Sequence, residues 1–188
     1  MGALSALRGY PVLFVATLLH PLQADPNDPR AAFAEYAADS LWVISHLGQF
    51  LGVALLATGL LALGETVDTA KAWAWARIDL LGTAASAAVT AALQAVDGVA
   101  LKVMVDRWSQ ASGPDQMRSF ETALAVRQVE IGMASMGSQL FGLTLSAFGV
   151  SLLFSQRYPA GFFLEELEAA LLAVQSPAAL IGLAHRAV

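Results

Sequence analysis

The chain has 188 residues, of which 57% are hydrophobic and 13% charged, with a mean hydropathy of +0.61, a net charge of −5 and no cysteine. A soluble domain carries about a quarter charged residues, so this composition points to a membrane-embedded chain. The acidic balance excludes a nucleic-acid partner, and the missing cysteines exclude disulfides, thiol redox relays, cysteine-bound iron–sulfur clusters and covalently attached c-type haem.

Three apolar runs, 41–64, 80–101 and 131–155, each reach the roughly 20 residues that a spanning helix needs. A shorter fourth, 4–22, has Arg8 near its start and Pro11 within it. The alternative for that run is a cleaved signal peptide, but HPLQADP offers no clear small-residue cleavage site, and a retained helix over about 3–20 is expected. It ends at His20-Pro21, because proline disfavours helical geometry in the residue before it.

Residues 22–30 are rich in turn formers, and Asp28-Pro29 reads as an N-cap followed by a first-turn proline. A helix is therefore expected over 29–63. At 1.5 Å per residue it would be roughly 50 Å long, more than the hydrocarbon core accommodates, so its first three turns should project. Within it Glu35, Asp39, Trp42, His46 and Gln49 recur at spacings of four, three, four and three, which places them on one helix face.

The 64–77 stretch reads as a connection whose Trp73 and Trp75 suit an interfacial aromatic belt, flanked by Lys71 and Arg77. A third helix over 79–110 and a fourth over 114–155 follow, separated by the stop signal Ser112-Gly113-Pro114-Asp115. The expected fold is all-α, an integral membrane four-helix bundle of two antiparallel hairpins spanning 1–158. Residues 159–188, with Glu165, Glu166 and Glu168 ahead of an apolar stretch, suggest an amphipathic helix at the interface or a re-entrant one. Charge asymmetry of the short connections favours a cytoplasmic N-terminus, although Lys102, Arg107, Arg118 and Arg127 would then lie outside.

Alternation of helix direction brings one end of all four helices to the same side. The polar residues concentrate there: His20, His46, Gln49, Gln94, Asp97, Lys102, Arg127 and Glu130. Ionisable groups inside a membrane are costly, face the bundle interior and pair, so Arg127 is expected against Glu130 or Asp97, and His46 against a carboxylate. Three chemistries fit these types. His20, His46, Asp97 and Glu130 offer the nitrogen and oxygen donors that bind zinc or iron. His20 and His46 could hold a single haem, whereas a two-haem arrangement fails because the only other histidine is His185. Finally, Lys102 and Arg127 could receive an anionic ligand or lipid head group, with Gln49, Gln94 and the titrating His46 completing the site. Each has a plain structural counterpart: a helix-end histidine bonded to a carbonyl, an ordinary i,i+3 ion pair, or a lysine snorkelling to the interface. The function classes that remain are a binding or sensing protein, a membrane-embedded metal-dependent or acid–base enzyme, a haem electron carrier, and an assembly subunit.

Gly48, Gly52 and Gly59 form a small-residue stripe on helix two, and Ser135, Gly142, Ser146 and Gly149 another on helix four. Such stripes let helices approach closely, either within one bundle or across a homodimer.

The set His20-Pro21, Trp42-x-x-x-His46, Asp97-Gly98-x-Ala100-Leu101-Lys102 and Arg127-x-x-Glu130 resembles a loose group of bacterial multi-pass membrane proteins of unknown function. The resemblance covers about residues 10–155. It implies a helical inner-membrane protein and supplies no activity.

Overall fold

A computed structural model of the chain describes residues 2–21 and 23–158. The expected C-terminal helix over 159–188 lies outside the described residues. Among those described, every regular element is helical: α1 (Gly2–Leu18), α2 (Pro29–Ala38), α3 (Trp42–Gly64), α4 (Ala70–Ala95), a π-helical turn (Val96–Leu101), α5 (Lys102–Gln110) and α6 (Pro114–Phe154). Three stretches are long and apolar enough to cross a membrane: Trp42–Gly64, Ala70–Gln110 and Pro114–Phe154. The apolar helix at Leu4–Leu18 is shorter.

α1 lies against α3, α3 against α4, and α4 against α6. The α1–α3 contact explains the glycine stripe. A Cβ at Gly52 would stand 2.7 Å from the backbone nitrogen of Leu13, and Ala16 and Ala6 pack over Gly48 and Gly59 in the same way. Gly48, Gly52 and Gly59 thus face a helix of the same chain; any homodimer would need another surface. At the other end of the molecule, Ser151 Oγ donates to the Ala72 carbonyl at 2.9 Å and Thr69 Oγ1 to the Phe154 carbonyl at 2.8 Å, fixing α4 to α6.

Two expectations about the helices are corrected. The continuous helix over 29–63 is two helices, broken at Asp39–Leu41. Asp39 has extended backbone, and its Oδ1 accepts from the Leu41 amide at 2.8 Å. The chain can stop here because Lys102 supplies what the helix end lacks. Its Nζ donates to the carbonyls of Tyr36 at 2.9 Å and Ala37 at 3.1 Å. The single polar face from Glu35 to Gln49 does not survive this break; Glu35 instead accepts from the amides of Gln23 and Ala24 and folds the preceding loop onto α2. The second correction concerns the start of α4. The connection after α3 is only Glu65–Thr69, because Thr69 Oγ1 accepts from the Ala72 amide at 3.1 Å and caps a helix that already includes Trp73 and Trp75.

α4, the π turn and α5 run as one 41-residue rod, and α6 is equally long, roughly 60 Å at 1.5 Å per residue. Both exceed the roughly 30 Å of a hydrocarbon core. Their excess lies at one end, where α2, α5 and the start of α6 close around a core of Phe33, Tyr36, Trp42, Val105, Trp108 and Ala123. This cap sits over the polar ends of the apolar helices.

Candidate metal centre

Three elements meet beneath the cap. His20 stands two residues beyond the end of α1, His46 is one turn into α3, and Asp97 is in the π turn. A π turn carries one residue more than α-helical geometry allows and frees a carbonyl from the ladder. Here the Asp97 carbonyl accepts from Trp42 Nε1 at 3.2 Å. Gly98 then lets the turn touch α3, since a Cβ on it would lie 2.6 Å from His46 Cβ. The sequence signal for this arrangement is the dipeptide Asp97-Gly98 within an apolar helix; neither residue favours a helix interior.

The two imidazoles are oriented alike. His46 Nδ1 bonds to the Trp42 carbonyl at 2.7 Å and His20 Nδ1 to the Pro21 carbonyl at 2.9 Å. A carbonyl only accepts, so each Nδ1 carries the proton and each Nε2 is left with its lone pair. Burial lowers the pKa of His20 below its ordinary 6.5, against the opposing pull of the Pro21 carbonyl. His46 is 2% exposed.

His46 Nε2 lies 3.1 Å from Asp97 Oδ2. The pair is close without being aligned as a hydrogen bond: His46 Nε2 and Asp97 Oδ1 are both buried with no hydrogen-bond partner. A lone pair facing a carboxylate is stable only with a proton or a cation between them. A nitrogen of His20 joins the pair, and the three ligand atoms lie within 4.8 Å of one another. Ligands of a tetrahedral zinc, bound at about 2.0–2.2 Å, stand roughly 3.3 Å apart, so an ion would draw this set together by about an ångström. Two imidazoles and one carboxylate suit Zn²⁺ or Fe²⁺ and leave a coordination position open.

The aromatic residues brace the site. The Trp42 ring centroid lies 4.9 Å from that of His20, 4.5 Å from that of His46 and 4.5 Å from that of Tyr36. The His20 and His46 rings are 5.1 Å apart and tilted by 55°, and Trp42 packs against both.

The other expected residues are placed as follows. Glu130, 7% exposed, pairs with Arg127, whose guanidinium lies 5.9 Å above the Tyr36 ring. Its carboxylate is within electrostatic range of His46 and Asp97 but does not belong to the ligand group. The expected fourth metal ligand is therefore absent from the set, because its i,i+3 neighbour holds it. Lys102 turns to the end of α2 and to Asp106. An ammonium has three donors, and Tyr36, Ala37 and Asp106 take all three. Gln94 Nε2 donates to Gln49 Oε1 at 3.3 Å, tying α4 to α3. Gln94 and His46 also line a cavity of about 260 Å³ between these helices, walled by Val43, Leu47 and Phe50.

Sequence reasoning missed the roles of Trp42 and Gly98. It also passed over Asp79, a fully buried carboxylate on α4 that accepts from Thr83 Oγ1 at 3.2 Å. Compared with protein-family models, with curated proteins and with solved structures, the chain matches none.

Proposed function

We propose that the chain is an integral membrane protein, a four-helix bundle of two antiparallel hairpins, that binds one divalent transition metal at its capped end through His20, His46 and Asp97. The observation that carries this reading is the arrangement of the three groups. Both imidazoles have their Nδ1 protons committed to backbone carbonyls, and the half-buried carboxylate of Asp97 gathers with them, one oxygen 3.1 Å from His46 Nε2 and the other without a hydrogen-bond partner. Backbone carbonyls holding Nδ1 are the outer-shell partners that metal-binding histidines use. Trp42 and Gly98 fix the relative position of His46 and Asp97.

A bound Zn²⁺ with an open position would acidify its water to a pKa of about 7, which places hydrolytic chemistry within reach of this site. The cavity beside His46 gives such a position an apolar approach. With the N-terminus cytoplasmic, the capped end faces away from the cytoplasm; reporter fusions at either end test that orientation.

The direct test is a zinc titration of metal-stripped protein in detergent by calorimetry. One equivalent should bind, and Asp97→Asn or His46→Ala should weaken it at least tenfold, whereas Glu130→Gln should change it little. Equal zinc affinity in the unsubstituted protein and Asp97→Asn would overturn the reading. Cobalt substitution supplies a second readout, since a tetrahedral site of this kind gives a d–d spectrum that the Asp97 variant should lose.

A further inference from the structure

A second cavity, of about 370 Å³, lies at the middle of the apolar helices, with walls from α1, α3, α4 and α6. It persists because its walls are held elsewhere. Gly52 fixes α3 to α1, Ser151 fixes α6 to α4, and the α3–α4 contact is tied by Gln49–Gln94 on one side and by the short Glu65–Thr69 turn on the other. Leu56, Leu60, Leu93 and Phe141 are its large apolar lining residues together with Leu13, and no charged side chain is in the lining.

One polar group in it is out of place. Ser86 lines the cavity, is 7% exposed, and its hydroxyl is buried with no hydrogen-bond partner. A helical serine or threonine ordinarily returns its proton to the carbonyl four residues earlier. Thr17, Thr58, Thr122, Ser138, Thr144 and Ser146 all do so here. Ser86 does not, although Gly82 stands in the required position. Thr83, on the same wall, is already bonded to Asp79. A buried hydroxyl without a partner is unfavourable, and the other hydroxyl residues of the lining, Thr90 and Ser138 among them, have not taken it up.

We infer that this cavity is a binding site for a neutral, lipophilic molecule bearing a carbonyl, which accepts the hydrogen bond of Ser86 while its ring or chain fills the leucine- and phenylalanine-lined space. The volume lies in the range of small-molecule sites and admits one or two rings. The lining excludes a charged head group. This site is separate from the metal centre and does not depend on it.

Benzophenone is a suitable probe, being neutral, two-ringed and reactive through its own carbonyl when irradiated. In proteoliposomes, saturable labelling should map to peptides carrying Leu56, Thr90, Leu93 and Phe141. Dicyclohexyl ketone should compete for it, and dicyclohexylmethane, of similar shape but without the oxygen, should compete about three- to tenfold less well, the worth of one neutral hydrogen bond. Ser86→Ala should erase that difference and Ser86→Thr should keep it. Ala87→Phe should fill the space and abolish the labelling. Thermal melts establish that each variant is folded. Unsaturable labelling spread over the outward-facing Leu81, Met136 and Leu143 would overturn the inference, as would a ketone preference that Ser86→Ala leaves intact.

Discussion

Replacing Gly98 by alanine tests the metal centre through a single methyl group. The added Cβ would start 2.6 Å from His46 Cβ and 3.0 Å from its Cγ, whereas ordinary contact begins at 3.4 Å. The π turn and α3 must therefore separate by about 0.8 Å, and the atom in the way is fixed to helix backbone rather than to a mobile side-chain end. Overpacking of this kind costs about 1–3 kcal/mol. Alanine regains about 1 kcal/mol through helix propensity, leaving a net loss of roughly 0–2 kcal/mol. Metal binding should suffer more than folding, because the movement carries His46 away from Asp97; displaced supporting contacts of this sort lower metal affinity about 10- to 100-fold. Thermal melts and zinc calorimetry in detergent measure the two effects. Gly132→Ala is the control: its Cβ meets nothing within 4 Å, so it should gain about 0.5–1 kcal/mol and leave zinc binding unchanged. If Gly98→Ala behaved like Gly132→Ala in both assays, the packing of the π turn on His46 would be refuted.

Other outcomes follow from the same geometry. Trp42→Phe keeps most of the aromatic packing but removes the donor to the Asp97 carbonyl; about 1–2 kcal/mol should be lost, with weaker zinc binding in the same calorimetric assay. Lys102→Met should free the carbonyls that end α2, at a cost of about 1–3 kcal/mol, and hydrogen exchange should rise in 29–38 well before the apolar helices respond. Asp68, in the turn between α3 and α4, has its pKa lowered by a bond from Ser155 Oγ and another from the Gln156 amide, with Arg157 nearby. A carboxyl whose folded pKa lies below its unfolded value of about 3.9 contributes stability that is complete above that value and is lost as pH falls through the lower one. The melting temperature should therefore drop over this acid range in the unsubstituted protein, and Asp68→Asn should flatten that part of the profile.

What the sequence makes legible here depends on distance along the chain. The apolar runs of α3, α4 and α6 announce themselves locally, because burial in lipid needs unbroken length. Asp28-Pro29 and Gly113-Pro114 likewise mark helix starts from their own chemistry. The break at Asp39 was not readable in this way. The group that makes it affordable is Lys102, some sixty residues on, and an isolated AADSL segment carries no trace of it. Thr69 is a cap that local chemistry could mark, but the tryptophans that follow it suit a membrane interface as well as a helix.

The candidate site shows the same division. The contact of His46 with Asp97 follows from the cost of leaving either alone in an apolar helix. Depth along a helix, however, says nothing about direction around it. Glu130 shares the depth of these residues yet turns to Arg127, and Lys102 turns to the end of α2. Only His20, beyond the end of its helix and held by its own chain neighbour, was free to close the group.

The π turn has a consequence for insertion and deletion. Successive residues of an α-helix are about 100° apart around the axis, but a π turn takes up its extra residue by widening, so the residues after Val96–Leu101 keep the angular phase of a regular helix one residue shorter. Removing a single residue there should let the rod run as regular α-helix with Lys102, Val105 and Trp108 still turned to α2. The same deletion in the regular part of α4 would swing them by about 100°. The π turn is thus a place where the rod can lose one residue and keep the apolar helices and the cap in register.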